Sequence, residues 1–242
     1  MYNAAFKKLG LNFVYVSFDV SDLGAAINGM RALNIRGLSV SRPFKERAIP
    51  FIDELHPTAK AIGSINIIRN EDGKLVGYNS DWIGAVSALE KNSVLSGKRA
   101  AVVGVGGAAR AITYGLKVNG AQVYLYNRTV ARLHQVSEDL GVNVGGGLAE
   151  LGELGKADII VNATPEEEII PIEVLRAGQI VLDVVFYPLD TKLIIGARGA
   201  GCRVIRGIDM LIFQGAVTFE LFTGYVAPVE TMFESLLAEL TE

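Results

Sequence analysis

Four polar side chains in the first third of the chain could carry out acid–base chemistry on a small hydroxylated molecule. Ser41 and Lys45 flank Pro43, Asn66 lies in the apolar run GSINII, and Asp81 follows a predicted strand. A lysine amine with a lowered pKa can accept the proton of an alcohol that is being oxidised, and an aspartate can orient the hydroxyl. Ligands of open α/β sheets bind beyond the carboxyl ends of the strands, so we expect these side chains to converge.

Each of these residues also has a purely structural interpretation. Lys45 begins the charged run Lys45-Glu46-Arg47, which is typical of a solvated helix face. Asp81 could cap the helix that begins there. Asn66 could satisfy backbone groups of its strand. The residues alone therefore do not specify a substrate.

A glycine-rich turn supplies a candidate nucleotide site. The segment Gly104-Val105-Gly106-Gly107-Ala108-Ala109-Arg110 follows a predicted strand directly and opens a predicted helix. Glycines allow a sharp turn and a close approach to a pyrophosphate, and the helix N-terminus offers free N–H groups. A tight strand-to-helix connection without a ligand remains the alternative.

The next predicted strand ends in Asn127-Arg128-Thr129, and Arg132 follows one short turn later. An NAD site usually places a carboxylate here, about 20 residues after the glycines, to bind the ribose 2′-hydroxyl. Guanidinium groups instead favour a 2′-phosphate. The sequence therefore predicts NADP rather than NAD, with solvated arginines at a helix start as the alternative.

Alternating apolar runs and helical stretches predict an α/β protein built from β-α-β units. The predicted strands cover residues 13–18, 37–40, 61–69, 74–78, 99–103, 122–126, 158–162 and 179–185. The predicted helices cover residues 22–33 (entered through Ser21), a stretch after Pro43, 81–89, 108–119, 130–140, 207–222 and the segment from Pro228 to Leu240. The turn at residues 70–73 predicts a hairpin. The strand–turn–helix order restarts near Gly97, which predicts two domains.

Composition excludes several other classes of protein. The chain has 242 residues and a formal net charge of −3, without the basic excess of proteins that bind nucleic acid. Its single cysteine, Cys202, cannot form an intramolecular disulfide. No apolar run of about 18 residues could cross a bilayer, and neither histidine has neighbours with metal-ligand spacing. We expect a cytoplasmic enzyme with no metal, nucleic acid or membrane partner.

The assembled motifs resemble the shikimate dehydrogenase family, including its shikimate dehydrogenase-like branch. The matching segments, in the family's order, are Asn3-Ala4-Ala5-Phe6, Val40 to Glu46, Gly63 to Asn66, Tyr78 to Asp81, Gly104 to Arg110, Asn127 to Thr129, Asn162 to Pro165, Asp183 to Pro188, and Gln214 to Ala216 followed by Phe219 to Gly224. The resemblance implies NADPH-dependent reduction of 3-dehydroshikimate to shikimate in aromatic amino acid biosynthesis.

The resemblance also implies domains and residue roles. It predicts an α/β substrate domain at residues 1–84, completed by C-terminal helices in 210–242, and a Rossmann-like NADP-binding domain with a parallel sheet at 85–209. The implied catalytic pair is Lys45 and Asp81. The implied substrate-binding residues are Ser41, Asn66, Tyr187 and Gln214. The implied cofactor-binding residues are Gly104, Gly106, Gly107, Ala108, Asn127, Arg128, Thr129, Arg132 and Thr164.

Departures from the family's pattern leave two alternatives open. The family's Ser-x-Ser segment, which helps bind the substrate carboxylate, would precede Asn3 and is absent from this sequence, and Trp82 stands where glycine is usual. One alternative is a dehydrogenase for quinate or another cyclic hydroxy acid. The other is a sensor that binds NADPH or a cyclic acid without turnover. We expect a monomer or a homodimer.

Overall fold

Two sheets, each with its own apolar core, organise the chain in the computed structural model, which describes residues 1–241. One compact unit consists of Met1–Ser80 together with the chain from Ile212 onward, and the other is Asp81–Leu211. The α/β fold class is confirmed. No helix of the described residues is long and apolar enough to span a bilayer.

The helices are α1 (Tyr2–Lys8), α2 (Leu23–Ala32), α3 (Pro57–Ile62), α4 (Asp81–Glu90), α5 (Gly107–Val118), α6 (Val130–Leu140), α7 (Lys192–Gly199), α8 (Gly207–Thr223) and α9 (Val229–Thr241). The strands are β1 (Gly37–Ser39), β2 (Glu54–Leu55), β3 (Ile67–Glu71), β4 (Lys74–Tyr78), β5 (Arg99–Val103), β6 (Gln122–Tyr126), β7 (Asn143–Gly146), β8 (Ile159–Asn162), β9 (Ile180–Asp183) and β10 (Arg203–Ile205). Short 3-10 helices lie at Ile49–Phe51, Leu148–Lys156 and Ile172–Val174.

The first unit contains a four-stranded mixed sheet in the order β1-β3-β4-β2. The predicted hairpin is present, because β3 and β4 pair antiparallel around a turn in which Asp72 and Gly73 both have positive φ. The Asn70 side chain accepts a hydrogen bond from the Gly73 amide at 2.8 Å and closes that turn. The apolar core of the first unit includes Ile27 and Met30 of α2, which pack with Ile68 of β3.

The predicted strand at residues 13–18 is wrong: the segment has no regular secondary structure and belongs to neither sheet. The side chain of Asn3 forms hydrogen bonds with both backbone groups of Tyr15: its oxygen accepts from the Tyr15 amide at 2.7 Å, and its NH2 group donates to the Tyr15 carbonyl at 2.9 Å. The rings of Phe13 and Tyr15 pack against Phe6 and Tyr2 of α1. The apolar run at residues 13–18 therefore reflects packing on a helix rather than strand pairing.

The helix predicted after Pro43 is also wrong: turns lead into the 3-10 helix at Ile49–Phe51. The carbonyl of Lys45 accepts from the Ile65 amide at 2.8 Å, so it is engaged outside any local helix. The predicted strand at 61–69 begins too early, because α3 occupies Pro57–Ile62 and strand β3 starts only at Ile67.

The N-cap of α2 is Asp22 rather than Ser21, since the Asp22 carboxylate accepts from the Ala25 amide at 2.9 Å.

In the second unit, all six strands run parallel in the order β10-β9-β8-β5-β6-β7. This order is that of a dinucleotide-binding sheet, and its topological switch point lies between β5 and β8. Strands β5 and β6 and helix α6 have the predicted bounds, whereas β7 and β10 were not predicted.

Candidate active site

A buried polar cluster lies in the first unit, where side-chain hydrogen bonds join Asn66 and Ser80 to Gln214 and Thr218 of helix α8. The Asn66 amide donates to the Gln214 side-chain oxygen at 2.9 Å and to Ser80 Oγ at 3.0 Å, and its own oxygen accepts from the Ser80 amide at 2.8 Å. Ser80 Oγ also donates to the Gln214 side-chain oxygen at 3.2 Å and lies 3.2 Å from Thr218 Oγ1. Asn66 and Gln214, both predicted from the sequence, are therefore brought together by tertiary structure.

Ser80 and Thr218 were not predicted as site residues. Thr218 follows Gln214 by one turn of α8 and donates to its carbonyl at 2.8 Å, so both lie on one face of that helix. Helical spacing from Gln214 was the signal that could have found it. The side-chain oxygen of Gln214 is occupied by Asn66 and Ser80, whereas its NH2 group donates to none of the described residues and retains donors for a ligand.

Lys45 and Ser41 occupy the turn segment that follows β1. Lys45 is half-buried, and its backbone is tied through its carbonyl to Ile65, next to Asn66 in sequence. Ser41 is exposed, and its carbonyl accepts from the Phe44 amide at 2.9 Å, which tightens the turn around Pro43. Asp81 belongs to the second unit, where it is the buried first residue of α4.

The glycine turn between β5 and α5 leaves open space and backbone amides that a pyrophosphate could occupy. Gly104 follows β5 directly at φ +114°, a conformation that L side chains rarely adopt. A Cβ at Gly106 would meet nothing within 4 Å, so the space beside this backbone is open. Gly106 is the N-cap of α5 and makes no side-chain cap, so the first-turn amides of Gly107 and Ala108 remain available.

The segment after β6 holds the predicted 2′-phosphate residues. Asn127 donates from its side chain to the Thr129 carbonyl at 3.1 Å, and Thr129 is the N-cap of α6. Arg128 and Arg132 are both exposed at this helix start. Arg128 Nη1 lies 3.9 Å from a carboxylate oxygen of Glu166.

Thr164 lies in the loop after β8, and a buried network orders that loop. Its amide and hydroxyl both donate to the side-chain oxygen of Asn162, at 3.0 and 2.8 Å. A Cβ at Gly104 would approach Thr164 Cγ2 to 3.1 Å, which places this loop directly against the glycine turn.

Asp183 at the end of β9 anchors the same network and was not predicted as a site residue. Its fully buried carboxylate accepts from the side-chain NH2 of Asn162 at 3.0 Å, the backbone amide of Val185 at 3.1 Å and the Thr191 hydroxyl at 2.6 Å. Burial raises the pKa of Asp183 above its ordinary value of 3.8, although these hydrogen bonds lower it. A polar residue at the end of a buried parallel strand was the available signal.

Tyr187 follows β9 and is exposed. The ring of Trp82 packs edge-on against Tyr114 of α5, with ring centroids 5.7 Å apart. Trp82 is therefore part of the contact between α4 and α5, where its carbonyl also lies close to Gly115.

Comparison with known proteins assigns the family. Residues 1–68 match the shikimate dehydrogenase substrate binding domain, residues 87–178 match the shikimate / quinate 5-dehydrogenase model, and residues 207–237 match the shikimate 5'-dehydrogenase C-terminal domain. A shikimate dehydrogenase (NADP(+)) of Pyrococcus abyssi is 44% identical over 238 residues, covering 96% of this chain and 89% of the relative. The chain belongs to the shikimate dehydrogenase family.

Solved structures of family members agree with this assignment. A shikimate dehydrogenase in complex with NADP+ has 37% identity and a TM-score of 0.91, with coverage of 100% of this chain and 90% of that one. The shikimate 5-dehydrogenase of Thermus thermophilus, in complex with NADP(H) and shikimate, has 30% identity and a TM-score of 0.89, covering 98% and 92% of the chains. The structural similarity to these two family members thus covers 98% or more of this chain.

Proposed function

We propose that this chain catalyses the reversible, NADP-dependent interconversion of shikimate and 3-dehydroshikimate, a step of aromatic amino acid biosynthesis. The observation that carries the proposal is the glycine turn at the switch point of a parallel sheet, followed after β6 by Asn127-Arg128-Thr129 instead of a carboxylate. Its relatives are named as NADP-dependent shikimate dehydrogenases. The partners are therefore a small cyclic hydroxy acid and NADP.

The residues of the second unit fit a bound NADP. The open space beside Gly106 and the uncapped amides of Gly107 and Ala108 suit the pyrophosphate. Arg128 and Arg132, with Asn127 and Thr129 beside them, suit the 2′-phosphate. Bound NADP+ supplies the acceptor for the hydrogen and electron pair that leave the carbinol carbon.

Lys45 and Asp81 handle the proton of the reacting hydroxyl. As the carbinol carbon becomes a carbonyl, the O–H bond breaks and the Lys45 amine takes that proton; in the reverse direction the ammonium returns it. The Asp81 carboxylate accepts a hydrogen bond and orients the hydroxyl or the amine. The side-chain NH2 of Gln214, with Asn66 and Ser41, binds the other hydroxyls and the carboxylate of the substrate, and Tyr187 lines the same site.

Replacement of Lys45 by Met tests this assignment. Loss of a general acid–base group lowers kcat by roughly 10²- to 10⁴-fold, and we expect the KM for shikimate to change much less. Lys60→Met is the matched control, because Lys60 is exposed on α3 of the same unit. Equal kcat values for wild type and Lys45→Met would overturn the role of the lysine.

The second candidate substrate is quinate, since the family model over residues 87–178 is described for both acids. A substrate panel compares kcat/KM for shikimate, quinate and an amino-shikimate. A higher value for quinate would replace the proposed substrate, and detectable NADPH binding without turnover of any acid would favour the sensor alternative.

A further inference from the structure

Three consecutive glutamates, residues 166–168, lie in the loop after β8. Glu166 Oε1 lies 3.9 Å from Arg128 Nη1, and the two side chains are 57% and 77% exposed. Glu168 instead pairs with Lys192, and Glu167 accepts from the Lys192 amide at 3.4 Å. Glu166 is therefore the member of this trio that faces the 2′-phosphate segment, whereas the other two face the start of α7.

The position of Glu166 is set by its backbone. Its carbonyl accepts from the Asn162 side chain at 3.0 Å, and its amide donates to Thr164 Oγ1 at 3.2 Å. Asn162 is fully buried and held by Asp183. The buried network therefore fixes where the Glu166 side chain leaves the loop, next to Arg128.

We propose that Glu166 is a specificity-determining residue that reduces the preference of this enzyme for NADP over NAD. Its carboxylate competes with the 2′-phosphate for Arg128 and repels that phosphate, because the two groups carry like charge. The 2′-hydroxyl of NAD carries no charge and donates well to a carboxylate. This inference rests on the proposed role of Arg128 in binding the 2′-phosphate.

Equilibrium binding tests the inference without turnover. Titration calorimetry measures the Kd of NADP, NAD and the fragments 2′,5′-ADP and 5′-ADP for wild type and Glu166→Gln. We expect Glu166→Gln to tighten NADP and 2′,5′-ADP about 3- to 10-fold while NAD and 5′-ADP stay equal or weaken. This tightening of NADP and 2′,5′-ADP binding should be smaller in about 0.5 M salt, where the Debye length is about 4 Å and salt screens the repulsion.

Glu168→Gln is the matched control, since it removes the same charge from the same loop but from a carboxylate paired with Lys192. An equal tightening by Glu168→Gln would reduce the effect to net charge and overturn the specific role of Glu166. Unchanged binding of 2′,5′-ADP by Glu166→Gln would overturn it as well.

Arg128→Ala separates failure of this inference from failure of the proposed site. If Arg128→Ala leaves the Kd of 2′,5′-ADP unchanged, the assignment of Arg128 to the 2′-phosphate is wrong. If Arg128→Ala weakens 2′,5′-ADP at least 10-fold but Glu166→Gln behaves as Glu168→Gln does, the site stands and the role of Glu166 falls.

Discussion

The side-chain amide of Asn66 donates to the side-chain oxygen of Gln214 at 2.9 Å, although 148 residues separate them in sequence. Ser80 donates to the same oxygen, so two hydrogen bonds orient the Gln214 amide. Its NH2 group is thereby presented with no internal partner among the described residues. The first unit thus contains a pre-oriented donor at the place where a hydroxylated acid is proposed to bind.

Gln214→Glu isolates that donor. The new carboxylate keeps oxygens for Asn66 and Ser80 but replaces the NH2 group by a negative oxygen, which repels the carboxylate of the substrate. We expect the KM for shikimate to rise 10-fold or more while the melting temperature stays within a few degrees. Steady-state kinetics and thermal unfolding measure both. Gln122→Glu, at an exposed position of β6, should change neither, and an unaltered KM in Gln214→Glu would contradict the donor role.

Alanine at two glycines of the nucleotide turn should separate binding from stability. A Cβ at Gly106 enters open space, so Gly106→Ala should leave the fold intact and weaken NADP about 10-fold by occupying the pyrophosphate space. Gly104 has φ +114°, so Gly104→Ala should cost about 1–3 kcal/mol of unfolding free energy. Denaturant unfolding and NADP titration compare the two, and undiminished NADP affinity in Gly106→Ala would argue against this site.

The buried Asp183 carboxyl should make stability depend on pH. Because burial raises its pKa, the folded protein binds this proton more tightly than the unfolded chain does. Its contribution to the free energy of unfolding is therefore most favourable below the unfolded pKa and falls as pH rises through the folded pKa. Lowering the pH from about 7 towards about 4 should shift the stability difference between wild type and Asp183→Asn in favour of wild type, as measured by urea unfolding.

Asp190 provides a control of opposite sign for this pH experiment. A hydrogen bond from Arg198 holds the pKa of Asp190 below its ordinary value, so its stabilising contribution is present above that value and is lost as pH falls. The difference between wild type and Asp190→Asn should therefore shrink towards low pH. Parallel pH profiles for Asp183→Asn and wild type would contradict the buried titration.

Close packing at Gly37 predicts another pair of variants. A Cβ at Gly37 of β1 would clash with the Phe222 ring of α8, whereas a Cβ at Gly29 of α2 would meet nothing within 4 Å. Gly37→Ala should lower the free energy of unfolding by about 1–3 kcal/mol, and Gly29→Ala should raise it by about 0.4–1 kcal/mol. Chemical denaturation measures both, and a stable Gly37→Ala would show that the α8 contact is adaptable.

Strands β5 and β6, helix α6 and the glycine turn of the second unit could be predicted in detail because their signals are local, whereas β7 and β10 could not. Strands β5 and β6 are apolar runs closed by turns, and helix α6 runs from Thr129 as N-cap to Gly141 in the left-handed conformation. The glycine turn between β5 and α5 has the predicted form. Each of these boundaries depends on residues within a few positions of it, so sequence alone was sufficient.

The tertiary structure decided what depends on distant partners. Residues 13–18 have the apolar run of a strand, but a strand needs a neighbouring strand to pair with. This segment instead packs on α1, through the hydrogen bonds of Asn3 and the rings of Tyr2 and Phe6. The Ile65 amide donates to the Lys45 carbonyl, so this segment forms a turn where a helix was predicted. Asn66 meets Gln214, and Asn162 meets Asp183, only because the chain folds back. Hydrogen bonds between residues far apart in sequence leave no periodic trace along it, so these partners emerge only when the folded chain brings them within bonding distance.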